Sequence, residues 1–174
     1  MSSVRLKKKV FIAAVLLFVI TLPAAAFAQA AQGEPKLALT MDVKKEVKVK
    51  KGTVETVEYI PAKTTARDDV LLYTVTYKNE GKAVIQDAAI VDPVPPETVY
   101  VLESAAGKDT EVSCSIDAGK TFQKPPATYL VRNPDGTIVQ KPAPPEMYTH
   151  VKWIVKKFVQ PGESGIVQFK VKVK

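Results

Sequence analysis

Beyond residue 28, this chain places its apolar residues at every second position, and no window carries a 3.6-residue apolar stripe. The segment Asp69–Val101 shows the pattern best. Leu71, Tyr73, Val75 and Tyr77 share one parity and alternate with Leu72, Thr74, Thr76 and Lys78. Alternation rich in Tyr, Val and Thr builds a half-buried strand. Asn79-Glu80-Gly81 then supplies residues that tolerate positive φ, which predicts a hairpin loop and a second strand over 83–91. Asp92-Pro93-Val94-Pro95-Pro96 cannot donate a regular ladder and predicts a corner, followed by a strand over 98–103.

The same period governs the rest. Leu37, Leu39, Met41 and Val43 fall on one face of a predicted first strand, and Val47 and Val49 resume that parity. Lys45 interrupts it. Burying an unpaired Lys costs several kcal/mol, more than one neighbouring Val returns at about 1.5–3 kcal/mol. A bulge, a bend, a sheet switch near Lys44–Glu46 or an edge position is therefore expected. Further strands are predicted over 54–60, 110–116, 121–122, 128–131, 137–140, 148–155 and 166–174. Lys51-Gly52, Asp117-Ala118-Gly119, Asn133-Pro134-Asp135-Gly136 and Gln160–Gly165 mark turns between them, and Lys141–Glu146 reads as a Pro-rich loop. In the last strand Val167, Phe169, Val171 and Val173 point in, and Gln168, Lys170, Lys172 and Lys174 point out. Many short strands with Pro and Gly turns define an all-β, antiparallel sandwich or barrel.

Residues 1–28 read as a targeting segment and are set aside from the fold. Arg5, Lys7, Lys8 and Lys9 form a basic region, Val10–Leu22 an apolar run, and Ala26-Phe27-Ala28 a small-x-small cleavage site. Ala28-Gln29-Ala30 offers a second cut two residues on. The competing reading is an uncleaved anchor; the run is short of the roughly 17–25 residues of a span. No Cys follows the apolar run, which excludes a lipoprotein anchor. Residues 29–36 read as a flexible leader, and 37–174 as one domain. No sortase-type signal, second apolar run or repeated module is found. The chain is +7 overall, but four of its 25 basic residues lie in the targeting segment, leaving 21 against 18 Asp and Glu. The basic balance is therefore weak support for nucleic-acid binding. Cys114 is the only cysteine, so no internal disulfide can form, and the core must supply the stability. Its parity with Val112 and Ile116 makes it a buried small hydrophobe, with an intermolecular disulfide as the alternative.

Chemistry-bearing constellations are sparse, and the sequence assigns no catalytic, cofactor-binding or metal-ligating residue. His150 is the single histidine, opposite in parity to Trp153, and is expected to face outward or lie at an edge. A triad or a zinc site would have to use it. Paired carboxylates for glycoside hydrolysis could be drawn from Asp87, Asp92, Asp109 and Glu111, though nothing fixes their separation, and Asp92 has a corner-capping role open to it. Calcium could sit among Asp68, Asp69, Asp87 and Asp92 at strand ends, without a D-x-D-x-D-G loop. Lys170, Lys172 and Lys174, with Lys156 and Lys157, form a basic stripe. A solvated edge-protecting face is one reading, and attraction to an anionic envelope polymer or lipid head group the other. No aromatic interleaving for single-stranded nucleic acid accompanies it.

With the strands in order, the chain resembles the conserved-repeat domain of bacterial and archaeal surface proteins, catalogued as domain of unknown function eleven. The resemblance rests on Asp69-Val-Leu-Leu-Tyr-Thr-Val-Thr-Tyr-Lys-Asn79-Glu-Gly81, Asp92-Pro-Val-Pro95, His150-Val-Lys-Trp153 and Pro161-Gly-Glu-Ser-Gly-Ile-Val-Gln-Phe169-Lys-Val-Lys-Val173. It spans roughly 37–174, in a single copy where the family is often tandem. It implies an immunoglobulin-like sandwich on a secreted or surface protein and brings no catalytic residue. A Lys–Asn cross-link, as some such domains carry, would use Lys45, but Ile166–Lys174 has no Asn or Asp to receive it. Ser115-Ile-Asp117-Ala-Gly119-Lys-Thr121-Phe122 looks like the Asp-box of sialidase propellers, a structural hairpin. One copy cannot build a propeller, so a self-bonded turn is expected, with a glycan contact as the minor alternative.

The expectation is a secreted, non-enzymatic, immunoglobulin-like β-sandwich, periplasmic or extracellular, with no transmembrane helix after cleavage. It would have a structural, adhesion or binding role in the bacterial cell envelope. Its partners would be an envelope protein or polysaccharide, with no cofactor and no nucleic acid. Loops 104–109, 117–127 and 132–147 would form the contact surface, stiffened by many of the chain's 13 prolines. The alternatives are a self-assembling surface or filament subunit, inserting residues 29–49 into a neighbour's sheet, and a glycan-acting enzyme.

Overall fold

The computed structural model describes residues 33–174; the segment 1–28 read as a targeting signal and residues 29–32 of the expected leader lie outside the described residues. Strands β1 (Leu37–Lys51), β2 (Val54–Pro61), β3 (Val70–Asn79), β5 (Thr98–Tyr100), β6 (Ala106–Gly107) and β11 (Ser164–Val173) form one antiparallel sheet. Its order is β2-β1-β3-β11-β5, with β6 also on β11. Strands β4 (Ala89–Pro93), β10 (His150–Val155) and β7 (Thr110–Ser115) form a second sheet in the order β4-β10-β7. Strands β8 (Thr128–Arg132) and β9 (Ile138–Pro142) make a separate two-stranded hairpin, and Pro145–Met147 a short 3-10 turn. The fold is an all-β sandwich of a wide sheet on a narrow one. Its last strand, β11, lies inside the wide sheet, whereas the immunoglobulin order puts the last strand in the three-stranded one.

Alternation explains the core. Cα partners across an antiparallel pair share a face. Met41, Val75 and Val167 are therefore aligned on the inner face of the wide sheet, as are Val43, Tyr73 and Phe169. Ile90, Trp153 and Val112 answer from the narrow sheet, with Asp92, Val151 and Cys114 one step along. Phe169 stacks on Tyr73 at 5.2 Å between ring centroids and meets Trp153 of the opposite sheet at 5.9 Å. Tyr100 stacks on Tyr148 at 5.1 Å beside them. Trp153, Phe169, Val167, Val171, Val151 and Val155 are fully buried, as the alternation predicts. Gly165 has no room for a Cβ, because the Tyr77 ring lies across it.

Lys45 causes no bulge. The register of β1 is unbroken, and β1 changes neighbours there, from β3 over 37–45 to β2 over 44–51. The Lys45 ammonium is half-buried and lies 3.2 Å from the Asp69 carboxylate, which offsets the penalty behind the expected bulge, bend, sheet switch or edge position.

Three local expectations are corrected. Asn79-Glu80-Gly81 does not join neighbouring strands. β3 and β4 lie in different sheets, and residues 80–88 carry the chain across. Asn79 is fully buried: its amide donates to the carbonyls of Ala83 (2.8 Å) and Val159 (2.9 Å), and its side-chain oxygen accepts from Gly81 N–H (2.9 Å). The residue that would open a hairpin instead pins the crossover. Second, the corner expected over Asp92–Pro96 is confined to Val94–Glu97, which carry the chain from β4 to β5, while Asp92-Pro93 belongs to the strand. The ladder runs through it, pairing Asp92 with Val151 and Pro93 with His150, and Pro93 is tolerated because β4 is an edge strand. Third, residues 121–122 form no strand; Gln123 alone bridges back to Cys114, with N–H to carbonyl distances of 2.8 and 2.9 Å.

Asn79→Ala removes three hydrogen bonds and leaves the Ala83 carbonyl and the Gly81 N–H without that partner, while the Val159 carbonyl keeps Ile85 N–H. At about 1–3 kcal/mol per unsatisfied buried group, it is expected to lose about 3 kcal/mol of stability in urea unfolding. A change below about 1 kcal/mol would show that Asn79 does not hold the crossover.

Candidate functional site

The wide sheet extends past the narrow one. β4 is an edge strand: among the described residues it pairs with β10 alone. Above it, β1 and β2 continue the wide sheet, and among the described residues no strand follows β4 beneath them. Their inner faces are therefore open at Leu39, Met41, Val54 and Ile60, while Leu37 and Val43 pack on the core. Leu39 and Met41, predicted to be buried by their parity, are 50% and 53% exposed. Ile60 is the partner of Lys45 and Val54 of Lys51, so both share this inner face, and both are exposed. Strand parity was right; what a single strand could not report is whether a second layer covers it.

The groove between the two edges has a volume of about 180 Å³. Leu39, Met41 and Val75 line it from the wide sheet, and Ile90, Val91 and Asp92 from β4. The backbone of β4 completes it. Val94 N–H donates to Thr149 and Ala88 C=O accepts from Val155, so even-numbered residues bond to β10. The N–H and C=O of Ala89 and Val91, and the C=O of Pro93, therefore point to the open edge.

Asp92 is the polar group of the groove. It is 6% exposed, and its Oδ2 is buried without a hydrogen-bond partner. Burial raises its carboxyl above the ordinary range, and the charge of His150 opposes this only in part. It therefore caps no corner.

The other sequence candidates are dispersed. Asp92 and Glu111 lie on opposite edge strands of the narrow sheet and on opposite faces, since Asp92 pairs with Val151 and Glu111 with Ile154. Glu111 is held by Lys156 (2.7 Å) and Lys124 (3.0 Å), which bring its carboxyl down to about 2. Asp68, Asp87 and Asp109 occupy the left-handed region at φ 69°, 49° and 55°, a turn role that Asp fills readily. Asp68 pairs with Lys172 at 2.7 Å and Asp69 with Lys45. No three His, Cys, Asp or Glu side chains converge among the described residues. His150 is half-buried on the central strand of the narrow sheet, with Nδ1 3.2 Å from the Thr149 hydroxyl oxygen.

The basic stripe is largely spoken for. Lys170 reaches Glu46 at 2.7 Å and lies over the Tyr59 ring, Lys172 reaches Asp68, and Lys174 donates to the Pro96 carbonyl at 2.9 Å. The Asp-box-like turn bonds to itself. Ser115 Oγ donates to Asp117 (2.7 Å) and accepts from Gly119 N–H (2.9 Å), while Thr121 donates to Asp117 through N–H (2.9 Å) and hydroxyl (2.6 Å). These bonds bring the Asp117 carboxyl down to about 2. Cys114 is fully buried, and burial pushes its thiol up to about 11, which leaves it closed to intermolecular disulfide exchange. Of the expected contact loops, 104–109 contributes β6 to the wide sheet and 132–147 contributes β9. A cleft of about 40 Å³ at Tyr100, Leu102, Pro125, Pro126 and Tyr148 is too small for a ligand larger than a water.

Fold and groove together define an all-β sandwich whose β4 edge, among the described residues, is unpaired beside an exposed apolar face. No family model matches the chain, and no curated protein or solved structure matches it. Among the described residues no helix is long and apolar enough to cross a membrane.

The raised carboxyl of Asp92 sets a sign. A carboxyl higher in the folded than the unfolded state favours folding while protonated, and that contribution is lost as pH rises through the folded value. Asp92→Asn is therefore expected to stabilise the protein at pH 7 by about 1 kcal/mol. Near pH 3, below the ordinary Asp value of about 3.9, the gain should vanish. Urea unfolding at both pH values checks this; an equal effect at both would place its origin outside the charge.

Proposed function

We propose that the protein is a non-enzymatic binding and assembly module of the cell envelope, exported by its N-terminal segment, and that it works by taking an extended segment onto the open edge of β4. The observation that carries this reading is the groove: an unpaired strand edge beneath an uncovered apolar face, with a buried carboxyl that lacks a donor. In strand addition, main-chain bonds supply affinity and alternate side-chain pockets supply specificity. Here Ala89 and Val91 offer the main-chain groups, Leu39 and Met41 the apolar cover, and Asp92 the polar selector.

The immunoglobulin-like, conserved-repeat surface domain that the sequence resembles suits this role, since such domains serve as rigid carriers of contact surfaces. Export accords with the basic region, apolar run and small-x-small site of residues 1–28. The scatter of Asp87, Asp92, Asp109 and Glu111 supports a binding role over glycan hydrolysis, because Glu111 is bound by two lysines and faces away from Asp92.

The test uses the protein and its Met41→Asp variant as baits on the native envelope. Met41 is more than half exposed, so the substitution leaves the core intact. The wild type is expected to retain one stoichiometric partner that the variant loses. Equal retention by both would overturn the groove as the binding surface.

A further inference from the structure

We infer that the groove takes the β8–β9 hairpin of a second copy of this chain, in a head-to-tail contact. The inference rests on the strand-accepting reading of β4 and names its occupant.

Geometry first limits the guest. Pairing β4 with β4 of a second copy about a two-fold axis would keep both wide sheets on the same side of the joined narrow sheets. β1, flanked by β2 from Lys44 onward, already projects over that space, so the two wide sheets would collide. The vacancy is one layer deep, beneath β1 and, past Lys44, beneath β2. A guest must be a thin ribbon with no second sheet above it.

The β8–β9 hairpin is such a ribbon. It belongs to neither sheet, and Tyr129 and the buried Ala127 and Ala143 anchor its base. Its strands are five residues each, the length of β4. Its outer face carries Leu130, Arg132, Ile138 and Gln140, because Leu130 pairs with Gln140 and Arg132 with Ile138. Leu130 is 71% exposed and Ile138 56%, and Leu130 is the most exposed large apolar residue described. Two apolar side chains on a free ribbon match the two uncovered in the groove.

Charge makes the match specific. Leu130 and Arg132 are two residues apart on one face, as are Ile90 and Asp92, a spacing of about 7 Å in either strand. With β8 laid parallel to β4, Leu130 falls beside Ile90 and Arg132 beside Asp92. The guanidinium would give the buried Asp92 Oδ2 the donor it lacks, in the forked geometry that suits a carboxylate. Ile138, the partner of Arg132, then lies one strand further out, toward the Ile60 end of β2. Donor hairpin and acceptor groove are different surfaces, so the contact is heterologous and repeats past the dimer, into a ring or an open series.

Analytical ultracentrifugation of the protein, purified as its host processes it, decides the matter. Wild type is expected to gain mass with concentration past the dimer. Leu130→Asp and Met41→Asp, both at exposed positions, should each remain monomeric. Their equimolar mixture should form a dimer and nothing larger, because one supplies an intact groove and the other an intact hairpin. Arg132→Ala should weaken assembly at least tenfold. A wild type that stays monomeric, or a mixture that does, overturns the inference. If wild type is monomeric while Met41→Asp still loses an envelope partner, the groove stands and only its occupant is wrong. Assembly that survives Met41→Asp overturns groove and occupant together.

Discussion

The contact between Phe169 and Trp153 sets the rest of this molecule. Phe169 lies on β11, an interior strand of the wide sheet, where it stacks on Tyr73 and meets Trp153 across the interior. Trp153 lies on the middle strand of the narrow sheet, so the contact holds β10 against β11. Large aromatic rings bury more area than any other side chains and fix geometry beyond that burial. With β10 so placed, β4 falls beside β3 and β1, and β7 on the side of Tyr100. Among the described residues the narrow sheet has no fourth strand to follow β4. The uncovered faces of β1 and β2 follow from where the aromatic contact centres the two layers.

That layout has an energetic consequence. A buried carboxyl without a donor destabilises a fold by about 1–3 kcal/mol, and Asp92 sits in such a position at the rim of the groove. Nothing in the core requires it there. Its neighbour on the same face, Ile90, shows that an apolar residue packs well at the adjacent inward position. Residues that weaken a fold without a packing role concentrate where a surface must recognise something. Lys45 is the contrast. It too interrupts an apolar parity, yet Asp69 meets it at 3.2 Å and the anomaly is resolved within the chain.

Much of the fold was legible because β alternation is a local property. The parity of Val167, Phe169, Val171, Trp153 and Cys114 gave their burial directly, and the Asp-box-like turn was readable from Ser115, Asp117 and Thr121 alone. The groove was not legible. Leu39 and Met41 obey the same alternation as Val75, and their exposure depends on the number of strands in the opposite sheet, which no window of sequence states. Asn79 misled for a related reason. Asn-x-Gly encodes a reversal of the chain, but whether the next strand joins the same sheet depends on packing partners as distant as Val159. Asp92-Pro93 misled because a proline forbids only interior ladder positions, and β4 is an edge.

An open strand edge ordinarily invites indiscriminate aggregation, and three features narrow what this one can accept. β4 is five residues long. At its end, Pro93 turns toward the open side the position where an N–H would be, so a longer guest finds no donor beyond Val91. The projecting ribbon of β1 and β2 admits one layer and rejects a second sandwich docking edge to edge. Within that space Asp92 discriminates further: an entirely apolar strand would cover the carboxyl and leave it without a partner, whereas a strand with a donor two residues from an apolar anchor would satisfy it. Short length, a missing donor and a buried charge each weaken the edge as a general adhesive. Together they would make the proposed strand addition selective, since a site rejects wrong partners most strongly through the groups those partners leave unpaired.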